Sequence, residues 1–212
     1  MVAKPMKSSQ ATPGKARQPA ARPRAYVLWI ELADLIPTIW RRVWVDDSML
    51  LAELHHVIQA AFGWTDAHLH EFRVADRIYA TPDVEDPVFE REVIDERLVT
   101  LRTLLKRGLR FEYLYDFGDD WLHRIEVERT VARTEPLGVA YVETGERACP
   151  PEDCAGPSAY QRWLDTLARN PESREVTEFL TWAGADFDAA RFDRFAANAA
   201  LVRMACNGWG KG

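Results

Sequence analysis

Five histidines and three clustered acids are the residues of this chain best able to do chemistry together: His55, His56, His68, His70 and His123, with Asp116, Asp119 and Asp120 just ahead of the last. Imidazole and carboxylate can hold a divalent ion that acidifies water. A site gathered from His55, His70, His123 and Asp116, Asp119 or Asp120 would therefore be a metal-assisted hydrolase or nuclease. No pair has a strong ligand spacing, however. His55 and His56 are neighbours on a helix and are expected to diverge; His68 and His70 share a face only if their segment is a strand. His123 reads more simply as a core histidine bonded to a carboxylate or carbonyl, and Gly118-Asp119-Asp120 as a tight turn. The expectation is no cofactor, with a divalent metal as the alternative, and no assigned catalytic residue.

Cys149-Pro150-Pro151-Glu152-Asp153-Cys154 is the second candidate. Two thiols with two carboxylates between them could form half a zinc site, but no second Cys or Cys-His pair lies nearby. The preferred reading is that the prolines stiffen an extended segment and Glu152 or Asp153 caps amides at the approach to a helix near Pro157. Asp116-Phe117-Gly118 repeats the metal-binding triplet of protein kinases without the phosphate loop or catalytic loop that should precede it. A P-loop, a dinucleotide-binding glycine fingerprint, a Gly-x-Ser-x-Gly elbow and a His-Glu-x-x-His helix are absent.

These residues need elements to position them. Tyr26 to Leu32 and Ile39 to Val45 read as an antiparallel hairpin with large apolar groups on both faces, each side needing cover. A helix follows from an expected N-cap at Ser48, with Leu50, Leu54, Val57, Ile58 and Ala61 as its buried stripe and Gly63 as its stop. His68 to Val74 alternates like a strand. Arg110 to Arg129 reads as a second hairpin around Gly118-Asp119-Asp120, setting Phe117 opposite Trp121, Tyr115 opposite His123, Tyr113 opposite Ile125 and Glu112, unfavourably, opposite Glu126. This order predicts an α+β fold, a β-grasp-like mixed sheet crossed by one helix, with a C-terminal helical subdomain packed on its aromatic face.

The expected boundaries are a disordered basic tail at 1–24, a single domain at 25–205 and a flexible C-terminus at 206–212. Within the domain, sheet and helix occupy 25–130, an irregular Pro/Gly-rich segment 131–156 and helices 157–205. The last of those helices is predicted to start from Asp188, with Phe187 and Phe192 as its hydrophobic staple.

The 212 residues are 47% hydrophobic, enough for one ordinary core. No apolar run is long enough to span a membrane or serve as a secretory signal, and three cysteines do not make a disulfide framework, so a cytoplasmic protein without membrane contact is expected. Residues 1–24 carry six cations and no acid; with a net charge of −6 overall, the remainder is −12. A body so acidic repels phosphate backbones, and nucleic acid is expected to associate only weakly, through residues 1–24.

Trp40-Arg41-Arg42-Val43, then Leu54-His55-x-Val57-Ile58-Gln59-x-x-Phe62-Gly63-Trp64 with His68-Leu69-His70-x-Phe72, then Tyr115 to Trp121 with His123, then Cys149 to Cys154, stand in the order seen in Ri-plasmid ORF-3-like proteins. The chain resembles that family from residue 26 to about residue 200, and the resemblance implies an α+β, β-grasp-like fold. Where the family's cysteine motif continues into two glycines and a later Gly-Tyr pair, this chain has Ala155 before Gly156 and Ala159 before Tyr160. Relatives labelled transposon resolvases do not transfer that label, since neither a nucleophilic serine with an arginine cluster nor a helix-turn-helix is found here. The first functional reading is a non-enzymatic module for an unidentified protein or peptide partner, motivated by abundant aromatic surface. The alternative is the metal-assisted hydrolase or nuclease.

Overall fold

The computed structural model describes residues 22–82, 92–184 and 186–208. The leader up to residue 21, most of the acidic loop after Pro82 and the last four residues lie outside the described residues.

In chain order the elements are β1 (Arg24–Leu32), β2 (Ile39–Asp46), α1 (Leu51–Phe62), β3 (His70–Val74), β4 (Arg77–Ala80), β5 (Val93–Asp95), α2 (Leu101–Leu104), β6 (Arg110–Tyr115), β7 (Trp121–Ala132), β8 (Tyr141–Glu146), α3 (Gly156–Arg169), α4 (Arg174–Ala183) and α5 (Arg194–Cys206). Among the described residues the strands form one sheet in the order β5-β4-β3-β6-β7-β1-β2-β8. It is mixed, because β4 and β5 run parallel while the other pairs are antiparallel. The α+β class holds; a finer likeness to a β-grasp does not follow from these pairings.

Alternation assigns the two faces. Leu28, Ile30, Ile39, Val43, Tyr113, His123, Ile125 and Val127 point inward and are fully buried or nearly so. Among the described residues the other face has no second layer, where the sequence suggested cover on both sides. Its apolar groups shelter under one another: Trp29 stacks on Trp40 at 4.1 Å, Arg42 lies over both rings, and Glu128 accepts from Arg42 at 2.6 Å and 2.9 Å. Amphipathic side chains thus do locally what a helix layer would do.

The central hairpin corrects the predicted register. Tyr115 faces Trp121, Tyr113 faces His123 and Phe111 faces Ile125, so the loop is Asp116 to Asp120 rather than three residues. A slide of two positions leaves every side chain on its predicted face, since strand periodicity is two. It also replaces the unfavourable Glu112 and Glu126 pair with Glu112 opposite Arg124.

The aromatic face of this hairpin is covered by α1 and Trp64, not by the late helices: Phe62 meets His123 edge-on at 4.9 Å and Trp64 stacks on Tyr115 at 5.0 Å. α5 packs instead beside α1 and on β8, and Trp163, Phe179 and Phe187 join α3 and α4 into the same core. β8 itself lies within the span expected to be irregular. Asn198 of α5 accepts from the Val142 N–H and donates to its carbonyl, which occupies the open edge of that strand.

Two helix starts differ from expectation. Residues 47–50 pair with 99–102 through backbone hydrogen bonds, so Ser48 stays in a turn, and α1 begins after Leu50, whose N–H is held by Glu53 Oε2 at 2.8 Å. Asp188 serves a single turn; Asp193 caps α5, accepting from Phe195 N and Ala196 N. Phe192 is taken instead by Arg41, whose buried guanidinium lies 3.8 Å from the ring centroid and donates to the Ala61, Trp40 and Glu146 carbonyls. Arg24, counted with the basic tail, is the first residue of β1 and pairs with buried Asp47, which Arg102 also grips.

Ala155, before α3, has φ +67°, the left-handed region. A Cβ there costs about 1–2 kcal/mol, while a glycine gives back about 0.4–1 kcal/mol through the unfolded chain. Ala155→Gly should therefore raise stability by up to about 1 kcal/mol in urea unfolding; a clear loss would remove the strain assigned to this position.

Candidate functional site

The site begins at the end of α1. Gly63, at φ +93°, closes the helix, and the chain turns back so that Asp66, itself at φ +62°, lies across the helix's last turns. Both adjacent histidines reach it: His55 Nε2 is 2.7 Å from Asp66 Oδ1, and His56 Nδ1 is 3.5 Å from Asp66 Oδ2. The expectation that they diverge fails because the partner comes from the returning loop rather than from the helix.

Beneath them, Tyr113 is wholly buried and its hydroxyl must be satisfied from α1. The Asp66 N–H donates to Gln59 Oε1 at 3.0 Å, which fixes the Gln59 amide; its NH2 then donates to Tyr113 Oη at 3.0 Å. Tyr113, already an acceptor, sends its own proton to His55 Nδ1 at 2.8 Å, so His55 carries its proton on Nε2 and donates it to Asp66. His70 stacks flat on His55, centroids 3.6 Å apart, and its Nε2 lies 3.0 Å and 3.1 Å from the two oxygens of buried Glu96, which also accepts from Thr81. Two imidazoles, each backed by a carboxylate, therefore stand face to face. They open on a cleft of about 520 Å³ whose wall also includes Glu53, His56 and His68.

Burial pushes the His55 imidazole down to about 4 against the pull of Asp66, and lowers His56 as well. Burial also works against the Asp66 and Glu96 carboxylates. The imidazoles bonded to them outweigh it and hold both below the usual range. At neutral pH His55 and His56 are thus neutral rings beside ionised carboxylates, the protonation states that metal coordination requires.

The other predicted residues sit elsewhere. His123 is not at the cleft: it is enclosed by Phe62, Trp64 and Tyr113, its Nδ1 meets the Trp121 carbonyl at 3.1 Å, its Nε2 has no partner, and burial pushes it down to about 3. Asp116 faces His68 rather than His55, Oδ2 to Nε2 being 3.6 Å. Asp119 and Asp120 stay in the hairpin loop; the Asp119 carbonyl would lie 2.5 Å from a Cβ at Gly156, which is why that position admits only glycine. Cys149 and Cys154 are free thiols that burial raises, Cys154 to about 12. Glu152 does not cap a helix: it accepts from Tyr115 Oη, Thr65 N and Thr65 Oγ1 at 2.8–2.9 Å. Asp153 reaches His68 at 3.3 Å. Asp66, Glu96 and Gln59 are the site residues that motif reading missed; Asp66, three positions past the helix-stopping Gly63, carried a weak signal.

Among the described residues, a single mixed sheet with helices packed against it, bearing a cleft lined by histidines and carboxylates, defines an α+β protein with a candidate cation site. The chain belongs to the plasmid pRiA4b ORF-3-like family, whose model matches residues 24–196. It is 41% identical over 167 residues to the uncharacterized protein y4hQ of Sinorhizobium fredii (strain NBRC 101917 / NGR234), covering 77% of this chain and 83% of that one. It is also similar to the crystal structure of MM3350, a protein of unknown function from Methanosarcina mazei Go1, with a TM-score of 0.73, 29% identity and coverage of 82% of this chain and 98% of the other. No helix among the described residues is long and apolar enough to cross a membrane.

Of the three depressed histidines, His55 and His123, the more deeply buried two, make stability pH-dependent. Their folded values lie below the ordinary value, so as pH falls below about 6.5 the unfolded chain takes up protons that the native state refuses. Stability then declines toward about 4 for His55 and about 3 for His123, by up to about 1.4 kcal/mol per pH unit for each ring. Above neutrality neither contributes a slope. Urea midpoints measured from pH 8 to pH 4 should fall on the acid side, and His123→Leu should flatten that limb by about one proton; an unchanged slope would mean His123 is protonated when folded.

Proposed function

We propose that this protein is a divalent-metal-dependent hydrolase whose ion is held in the cleft by His55 Nε2, His56 Nδ1 and one oxygen of Asp66. The observation that carries the reading is the convergence of these donor atoms, all within 4.8 Å of one another, on the wall of an open cleft. His56 Nδ1 is moreover a buried nitrogen without a hydrogen-bond partner. Two imidazoles and a carboxylate are a zinc-type donor set that leaves a position for water, and a bound ion would supply a water acidified toward neutrality. His70, oriented by Glu96, would exchange protons with the reacting group. The carboxylates of Glu53, Asp66 and Glu96 around the cleft favour a small ester or amide over a nucleic acid.

Coordination through His55 Nε2 requires that ring to change tautomer. Its proton moves to Nδ1, facing Tyr113, whose hydroxyl proton then loses its acceptor. An unmade buried hydrogen bond costs about 1–3 kcal/mol, small against the roughly 10–16 kcal/mol of structural zinc sites, so the switch weakens the site without forbidding it.

A second reading, a peptide-binding module, draws on the outer sheet face, where Trp29 and Trp40 stack partly buried beside Arg42. It has less support than expected from the sequence, because Tyr113, Tyr115 and Trp121 are interior.

Elemental analysis after dialysis of the full chain against Zn2+ should give one equivalent fewer for His56→Ala than for the unmodified protein. Nitrogen NMR should find the His55 proton on Nε2 without metal and on Nδ1 with it. Hydrolysis of p-nitrophenyl esters should stop with chelator and return with Zn2+. His70→Ala should lower it by about 100-fold with no change in bound metal. Equal zinc binding by His56→Ala, or turnover indifferent to chelator, would end this reading.

A further inference from the structure

We infer that His68, Asp116 and Asp153 form a second divalent-cation site, separate from the cleft centre, that clamps the segment around Cys149 to Ala155 onto the central hairpin. The three residues come from three places: the loop after α1, the β6–β7 loop and the segment before α3. His68 Nε2 is buried and makes no hydrogen bond, although Asp153 Oδ1 lies at 3.3 Å and Asp116 Oδ2 at 3.6 Å. All three donor atoms fall within 4.8 Å of one another.

These separations are long for charge-assisted hydrogen bonds, which run about 2.7–2.9 Å. They match the edge of a tetrahedron, about 3.3 Å when metal–ligand bonds are about 2.0–2.1 Å. A proton on Nε2 could serve one carboxylate, not two; a cation serves both and the ring together.

The carboxylates are held for this purpose. Asp116 Oδ1 is taken by the Gly118 and Asp119 N–H groups at 2.9 Å and 3.3 Å, which leaves Oδ2 facing His68. Glu152, bonded to Thr65 and Tyr115, docks the segment one residue ahead of Asp153. One imidazole nitrogen and two carboxylate oxygens are a harder donor set than that of the cleft and suit Mn2+ as well as Zn2+.

The test is titration of the full chain with Mn2+ alone and Zn2+ alone, read as free-ion electron paramagnetic resonance and as bound metal. Asp153→Asn is the main variant, because that side chain is mostly exposed and its loss should not impair folding. The expected result is two equivalents of Zn2+ for the unmodified chain, one for Asp153→Asn and for His56→Ala, and none for the double variant, with Mn2+ affinity at least ten-fold weaker in Asp153→Asn. Amide exchange of residues 149–155 should slow on adding Mn2+ in the unmodified chain and not in Asp153→Asn. One equivalent lost only in His56→Ala overturns the second site and leaves the cleft reading standing. One equivalent lost only in Asp153→Asn does the reverse.

Discussion

The structure turns on one buried hydroxyl. Tyr113 lies in the middle of the sheet under α1, fully buried, and an unpaired polar group in that position is costly. Gln59 and His55, one helical turn apart on α1, meet it from above. Once Gln59 is committed to Tyr113, its carbonyl is free only toward the Asp66 N–H, which draws the loop after α1 back over the helix. The position of α1 on the β6–β7 hairpin and the presentation of Asp66 to His55 and His56 are therefore parts of one hydrogen-bond sequence.

The same loop carries the next layer. Trp64 stacks on Tyr115 and donates to the Pro150 carbonyl at 3.0 Å, Thr65 receives Glu152, and His68 faces Asp116 and Asp153. Three residues of the loop after α1, Trp64, Thr65 and His68, thus bring together the hairpin and the segment before α3. The family strings that run from Leu54 to Cys154, scattered over about one hundred positions of sequence, meet here. The cysteines between which Glu152 and Asp153 stand contribute apolar packing against the core rather than exposed thiolates.

What could be read from the sequence follows from what periodicity encodes. Alternation assigned the correct face to Tyr113, Tyr115, Ile125 and Val127 even though their partners were displaced, because a shift of two preserves parity while loop length is not written in the pattern. The apolar stripe of α1 and its glycine stop were legible for the same local reason. Ser48 and Asp188 misled as caps because each is a good local choice overruled by long-range pairing, the one by residues 99–102, the other by Arg41 drawing in Phe192. His55 and His70 were legible as candidates but Glu96 was not, since β5 reaches β4 by a parallel pairing that no local signal announces. Asp66 was only weakly signalled: the Gly63 stop shows that the chain turns there, but not that the turn brings Asp66 back to His55 and His56.

His55 and His123 feel the same physical term in different company. His55 and His123 are both driven neutral by burial. His123 is met by a backbone carbonyl and aromatic rings, so its neutrality serves only packing. His55 is met by an ionised carboxylate and opens on the cleft, so its neutral ring retains a lone pair that a tautomer change can expose to an incoming ion. Desolvation alone therefore does not distinguish the two rings; the distinction lies in what faces them, a charged carboxylate at the mouth of a cleft for His55 and a carbonyl with aromatic rings for His123.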